Sequence, residues 1–317
     1  MKNVLITGGA GYIGNILTPY LLKLGCNVTV LDNLIHRQHG ILENCSAPNF
    51  KFVFGDVRNK GLYSSLISEN DIIVNLAAYV GMPLCNRFPI ETRQVNQESA
   101  EFLAKSVSYD QLVIYATTNS GYGLGMHTLD GKPVYCTEET PLSPISLYGE
   151  TKSNAERAIM ASGNNVSFRL ATVMGVSRKM RMDLLVNDFV WRAWNDRFIV
   201  LFESHFLRNF IHVRDVATAI HLAITEKKMR GQVYNLGNTI ANVNKMDLCL
   251  AIKKQVPDFF ITESPINKDP DQRNYIVSNE KLEGLGWKCR YSLDDAIEEV
   301  LMACPIIKNT NCPFSDI

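Results

Sequence analysis

Val4-Leu5-Ile6-Thr7-Gly8-Gly9-Ala10-Gly11-Tyr12-Ile13-Gly14 carries an apolar, β-branched run straight into a glycine-rich turn, and Asp32 closes the next apolar run, Asn27–Asp32. Glycines at such a turn let the backbone bend without a Cβ and approach a pyrophosphate closely. A helix starting near Gly11, with the apolar pattern Ile13, Ile16, Leu17 and Leu21, aims its unpaired N–H groups and positive dipole end at the same place. The turn satisfies Gly9-x-Gly11-x-x-Gly14 and Thr7-Gly8-x-x-Gly11-x-x-Gly14 together, and the acid follows at the distance where a carboxylate accepts ribose hydroxyls. The stretch predicts a dinucleotide site that favours NAD, because a 2′-phosphate would meet Asp32 head on. His36 and Arg37 follow closely enough to leave NADP admissible.

Further apolar runs at Phe50–Asp56, Asp71–Ala77, Gln111–Thr118 and Val166–Val173 alternate with helical or loop segments. Continuous runs of this kind mark parallel strands buried on both faces, so the expected fold is an α/β doubly wound parallel sheet of the Rossmann type. Residues 1–175 are expected to form its dinucleotide-binding domain, with 209–237 returning to it, and 176–317 a smaller substrate-binding lobe. A helix around Leu184–Trp194, strands at Phe198–Phe202, Asn209–Val213 and Gln232–Gly237, a helix capped by Asp215, a Pro-rich stretch from Pro257 to Pro270 and a last helix near Leu293–Met302 fill out the remainder.

With 317 residues, 46% apolar content and no net charge, the chain can bury a full core and shows no basic surface for nucleic acid or anionic membrane. The eight cysteines form no Cys-x-x-Cys pair and the six histidines no His-Glu-x-x-His pattern, so no metal is expected and the thiols read as reduced. No apolar run is long enough to cross a bilayer, and the chain reads as cytoplasmic.

Tyr148-Gly149-Glu150-Thr151-Lys152 places a phenol and an ammonium on one face of a helix, the one Tyr-x-x-x-Lys in the chain. A cation about 4 Å from the phenol, at an effective dielectric near 20, is worth on the order of 4 kcal/mol, enough to lower its pKa by up to about three units before desolvation. Tyr148 then takes a proton from a sugar hydroxyl as hydride leaves the same carbon. The strand end Thr117-Thr118-Asn119-Ser120 brings hydroxyls to the same rim.

These strings resemble a known family. TGGAGYIG, Asp32, GDVR at Gly55–Arg58, NLAA at Asn75–Ala78, Asn96, the Thr-rich strand end, YGETK and RNFIHVRDV at Arg208–Val216 are similar to the extended short-chain dehydrogenase/reductases that act on nucleotide sugars. Within that group, NSGYG, CTEETPLSPIS, FRLATVMG and MRMDLLVNDF resemble bacterial dehydrogenases that oxidise C4 of a GDP-linked heptose for capsular polysaccharide precursors. The resemblance implies a catalytic set of Thr118, Tyr148 and Lys152, with Lys152 holding the nicotinamide ribose and lowering the Tyr148 pKa. It implies a cofactor site of Gly8, Gly11, Tyr12, Ile13, Gly14, Asp32, Asn33, Asp56, Val57, Leu76, Ala77, Ala78, Asn96 and Ala116 beside Tyr148 and Lys152. For the substrate it implies Thr118, Asn119, Ser120, Thr172, Asn187, Arg208 and Arg273, the two arginines gripping a diphosphate. A homodimer through helices near Thr92–Val107 and Tyr148–Ala161 is also implied.

Sugar 4,6-dehydratases of this family carry Asp-Glu directly after the catalytic Thr, where this chain has Asn119 and Ser120, which cannot exchange a proton in that way. Decarboxylating relatives carry a Glu there, also absent. Thr172 stands where epimerases have a substrate-binding Asn. The sequence therefore points to NAD-dependent oxidation of a nucleotide sugar at C4, with a 4-epimerase as the alternative and a non-catalytic NAD-sensing protein as the third reading.

Overall fold

The computed structural model describes residues 1–264, 266 and 273–310. Within them β1 (Asn3–Thr7), β2 (Asn27–Asp32), β3 (Phe50–Phe54), β4 (Ile72–Asn75) and β5 (Leu112–Thr118) join strands Asn165–Leu170 and Gln232–Leu236 in one seven-stranded sheet. Its order is Gln232–Leu236, Asn165–Leu170, β5, β4, β1, β2, β3, and every neighbouring pair is parallel. The winding reverses between β1 and β4, where Thr7 pairs in register with Asn75, so a crevice opens at the carboxyl ends of those two strands.

Both faces of this sheet are covered, which explains the unbroken apolar runs. Val4, Ile6, Val28 and Val74 pack on one side with Leu17 and Leu21 of α1 (Gly14–Lys23) and with Ile220 and Ala223 of the helix Val213–Thr225. Leu5, Ile73 and Val113 pack on the other with Leu66, Leu103 and Ile159. Each such side chain, removed from water, contributes about 1.5–3 kcal/mol. A separate core lies under the helices Leu185–Asn195, Lys245–Gln255 and Leu293–Lys308, built on Val190, Leu248, Ile252, Ile297 and Val300.

Several expectations need correction. The run Val166–Val173 is two strands, because Ala171 donates its N–H to Leu236 and the chain then leaves the sheet. Thr172–Met174 pairs instead with Phe210–His212 in a second, three-stranded sheet. Asp215 does not cap its helix. His212 does, accepting the Arg214 N–H on Nδ1 at 3.1 Å, while Asp215 lies in the first turn and accepts the N–H groups of Arg290 and Tyr291. The helix expected over Thr92–Val107 is interrupted by a π-helical turn, Arg93–Glu98. Within the Pro-rich stretch Phe260–Glu263 forms a strand, and residues 265 and 267–272 lie outside the described residues, as does Cys312. The described cysteines are all free thiols. No helix among the described residues is long and apolar enough to cross a membrane, and no His, Cys, Asp and Glu cluster there is arranged to hold a metal ion.

Candidate active site

The carboxyl ends of β1, β2, β4 and β5 open into a cavity of about 560 Å³. Of the residues expected there, Gly8, Gly11, Tyr12, Ile13, Gly14, Asp32, Asn33, Asp56, Val57, Leu76, Ala77, Ala78, Ala116, Thr118, Ser120, Tyr148, Lys152, Thr172, Arg208 and Arg273 all line it.

At one end the glycines are required by contacts. Gly8 has φ +69°, and a Cβ there would lie 2.7 Å from the Ala77 nitrogen, so the turn after β1 and the segment after β4 touch backbone to backbone. A Cβ on Gly14 would run into the Gly9 carbonyl. Around Gly11 a Cβ would meet the Gly8 carbonyl oxygen at 3.1 Å, leaving its face open to the cavity. The helix α1 starts at Gly14, later than expected, and no side chain caps it. An open glycine face beside an uncapped helix start fits a dinucleotide pyrophosphate.

Asp32 accepts the Ala10 N–H at 3.0 Å, the Leu34 N–H at 2.8 Å and the Gln38 amide at 3.3 Å, so it fastens the turn as well as facing the cavity. Burial raises its pKa, and the two backbone donors oppose the rise. Asp56 is forked by Arg58 at 2.9 and 2.8 Å and receives the Asn33 amide at 3.0 Å. The Arg58 hydrogen bonds hold its carboxyl down at about 2.

Ser146 caps the helix Leu147–Ala161 by accepting the Gly149 N–H at 3.1 Å, which sets Tyr148 at the first turn facing the cavity. Thr118, at the end of β5, lines the cavity with Tyr148 and donates to Ser120 Oγ at 3.0 Å. Arg273 in turn donates to Ser120 Oγ. Burial pushes Tyr148 up to about 12, Cys85 adding to the rise and Arg181, Thr118 and Arg273 opposing it. Lys152 is not among the groups that bear most on Tyr148. Its side chain, 3% exposed, lies over the Tyr115 ring, and burial brings it down to about 7 against the opposing pull of Glu156 and Cys85.

Three expected asparagines stand behind the cavity wall. Asn96, in the π-helical turn, exchanges two 2.8 Å hydrogen bonds with the backbone of Tyr79, and so holds a residue that does line the cavity. Asn187 accepts the Gly175 N–H at 3.2 Å and donates to the Arg181 carbonyl at 2.9 Å. Asn119 is buried, and its amide finds no partner among the described residues. In each case an amide near the rim is spent on, or enclosed by, packing behind it.

Sequence reasoning missed two cations. Lys179 and Arg181 line the cavity although both are buried, and Arg181 forms a two-pronged pair with Asp183 at 2.7 and 2.5 Å. Their signal is the alternation Lys179-Met180-Arg181-Met182, in which both methionines enter the separate core that holds Val190 and Leu248. Lys245 and Tyr275 also line the cavity.

A dinucleotide turn at one end of a cavity and a Tyr-Lys-Thr set at the other define an enzyme that moves hydride between a bound nicotinamide and a substrate carbon. The chain belongs to the NAD dependent epimerase/dehydratase family, which matches residues 4–237, and its cofactor is NAD. The low-salt glycan biosynthesis protein Agl12 of Haloferax volcanii is 28% identical over 311 residues, covering 93% of this chain and 96% of that protein. The CDP-paratose 2-epimerase of Salmonella typhi is 27% identical over 340 residues, covering 94% and 97%. Among solved structures, the UDP-glucose 4-epimerase of Thermotoga maritima with UDP-glucose shares the fold, with a TM-score of 0.82 at 23% identity over 97% of this chain and 100% of that one.

Proposed function

We propose that this enzyme oxidises C4 of a nucleotide sugar, a GDP-linked heptose, to the 4-keto sugar with formation of NADH. The observation that carries this reading is the Thr118–Ser120 hydroxyl pair ending on Arg273 in the cavity that Tyr148 also lines, with no carboxylate beside Thr118. The acids lining the cavity are Asp32 and Asp56 at the glycine-rich end, Asp183 paired to Arg181, and Asp188 paired to Arg192 at 2.9 Å. Elimination of water has no acid and base next to the reacting carbon, whereas oxidation needs one base only.

Bound NAD supplies the hydride acceptor and a positively charged pyridinium. In its phenolate form, which Arg181, Thr118 and Arg273 favour and the pyridinium charge would favour further, Tyr148 would receive the C4 hydroxyl proton as the C4–H electron pair passes to the nicotinamide. Thr118 holds that hydroxyl through its own Oγ1, and the buried Lys152 amine orients the nicotinamide ribose. Arg208, Lys245 and Arg273 line the cavity and suit a diphosphate, while Thr172 and Ser120 suit sugar hydroxyls. The sugar and base follow from the resemblance of NSGYG, CTEETPLSPIS, FRLATVMG and MRMDLLVNDF. We assign NAD binding to residues 1–175 with the returning segment 209–237, substrate binding to the rest of 176–317, and a cytoplasmic homodimer assembled through the helices Ser99–Ser106 and Leu147–Ala161.

Incubation with a panel of nucleotide heptoses and hexoses, read by NMR for the 4-keto product and by absorbance for NADH, tests the reading. No oxidation of any of them refutes it. An inverted, fully reduced sugar would instead mark a 4-epimerase.

A further inference from the structure

Tyr12 belongs to the glycine-rich turn, yet its side chain ends against Gly175 and Asn187. Its hydroxyl donates to the Gly175 carbonyl at 2.5 Å and receives the Asn187 amide at 3.4 Å. Its own carbonyl accepts the Ser177 hydroxyl at 2.7 Å. Main chain and side chain of one residue are therefore tied to the segment that presents Lys179 and Arg181 to the cavity. Asn187 closes the other side, bonded to Gly175 and to the Arg181 carbonyl. Tyr12 and Ser177 are buried and Asn187 is wholly so, and hydrogen bonds in such surroundings are stronger than in water.

We propose that Tyr12 is a positioning residue that couples occupancy of the dinucleotide turn to the placement of Lys179 and Arg181, so that binding of the cofactor pre-organises the cations that meet the substrate. A ligand that orders the turn orders, through Tyr12, the segment 175–188, and a second ligand then finds that ordering already done. Arg181 also bears on the Tyr148 phenol, so the same segment reaches the base. The coupling rests on reading the far end of the cavity as the nucleotide-sugar site, but its first test needs NAD⁺ alone.

The experiment is hydrogen–deuterium exchange with mass spectrometry on the wild type, Tyr12→Phe and Ser177→Ala, each with and without saturating NAD⁺. In the wild type NAD⁺ slows exchange in the peptides covering 8–14 and, in the same titration, slows 175–188 by about tenfold. In Tyr12→Phe the slowing at 8–14 remains, while that at 175–188 falls below about twofold. A Tyr12 that merely supported the fold would speed exchange of 175–188 equally with and without NAD⁺ and leave the ratio intact. An unchanged ratio in Tyr12→Phe, or no effect of NAD⁺ on 175–188 in the wild type, overturns the proposal. Should Tyr12→Phe not fold, Ser177→Ala decides by the same ratio, which must fall. Calorimetry with GDP and UDP, with and without NAD⁺, is the second arm: failure of both to bind counts against the nucleotide-sugar reading and leaves the exchange result to judge the coupling.

Discussion

The Lys152 amine nitrogen lies 4.2 Å from the centroid of the Tyr115 ring, packed over β5. With Lys152 brought down to about 7 and Tyr148 pushed up to about 12, burial holds both groups toward their neutral forms at pH 8. The site is charged most readily when a dinucleotide brings its own positive ring. Tyr148→Phe is expected to lower hydride transfer by about 10³-fold while NAD⁺ still binds. Stopped-flow NADH absorbance and NAD⁺ titration measure the two effects separately, and unchanged turnover would remove Tyr148 from the chemistry.

Burying Lys152 has a cost that depends on pH. Its folded pKa of about 7 lies below the ordinary lysine value of 10.5, so between those pH values the unfolded chain holds the extra proton. Stability therefore rises with pH across that window, and the penalty is present in full below it. Lys152→Met is expected to stabilise the fold at pH 7 by about 1–3 kcal/mol, with the gain fading toward pH 10, while hydride transfer falls. Urea melts at pH 7, 8.5 and 10 check the trend, and a variant less stable than wild type at pH 7 contradicts it.

Two glycines of one turn should respond differently to the same substitution. Gly8→Ala places a Cβ 2.7 Å from the Ala77 nitrogen at φ +69°, and a loss of about 1–3 kcal/mol is expected in thermal or urea melts. Gly11→Ala meets a single carbonyl oxygen at 3.1 Å, so the fold holds to within about 1 kcal/mol. Because that methyl fills the open face, NAD⁺ affinity should drop by about tenfold or more. Equal effects of the two on melting would undo this division.

Glu156 lies one turn past Lys152 on the same helix and accepts both prongs of Arg169, at 2.8 and 3.1 Å, together with the Ser167 hydroxyl at 3.0 Å. Both partners are buried. Glu156→Gln leaves the guanidinium without its counter-charge, and a loss of about 3–5 kcal/mol is expected by chemical denaturation. It also withdraws the influence that keeps the Lys152 amine basic. A change below about 1 kcal/mol would show that the pair is not what keeps Arg169 buried.

Much of this was legible beforehand because burial on both sheet faces writes itself into a sequence as continuous apolar runs, as at β1, β2 and β5. The turn from Gly8 to Gly14 was legible for a different reason: contacts as close as that between Gly8 and Ala77 admit no other residue. What escaped depends on direction, which residue type does not encode. Asn96, Asn119 and Asn187 carry the right chemistry at the right depth, but their amides are used or enclosed behind the wall. Lys179 and Arg181 carry no motif of their own, and it is the burial of Met180 and Met182 that fixes where they sit. The π-helical turn at Arg93–Glu98 has no composition of its own and was read as plain helix.

The pairing of Gln232–Leu236 with Asn165–Leu170 has a consequence for biosynthesis. A chain emerging from the ribosome must wait roughly sixty residues, on the order of 3–12 s at typical elongation speed, before the outer side of Asn165–Leu170 receives its neighbour. During that interval a nascent polypeptide displays a raw strand edge carrying Ser167 and Arg169, a template for mispairing with adjacent copies on the same polysome. Translation speed across this stretch thus becomes a determinant of yield, and a codon-level slowdown there should be paid in aggregates.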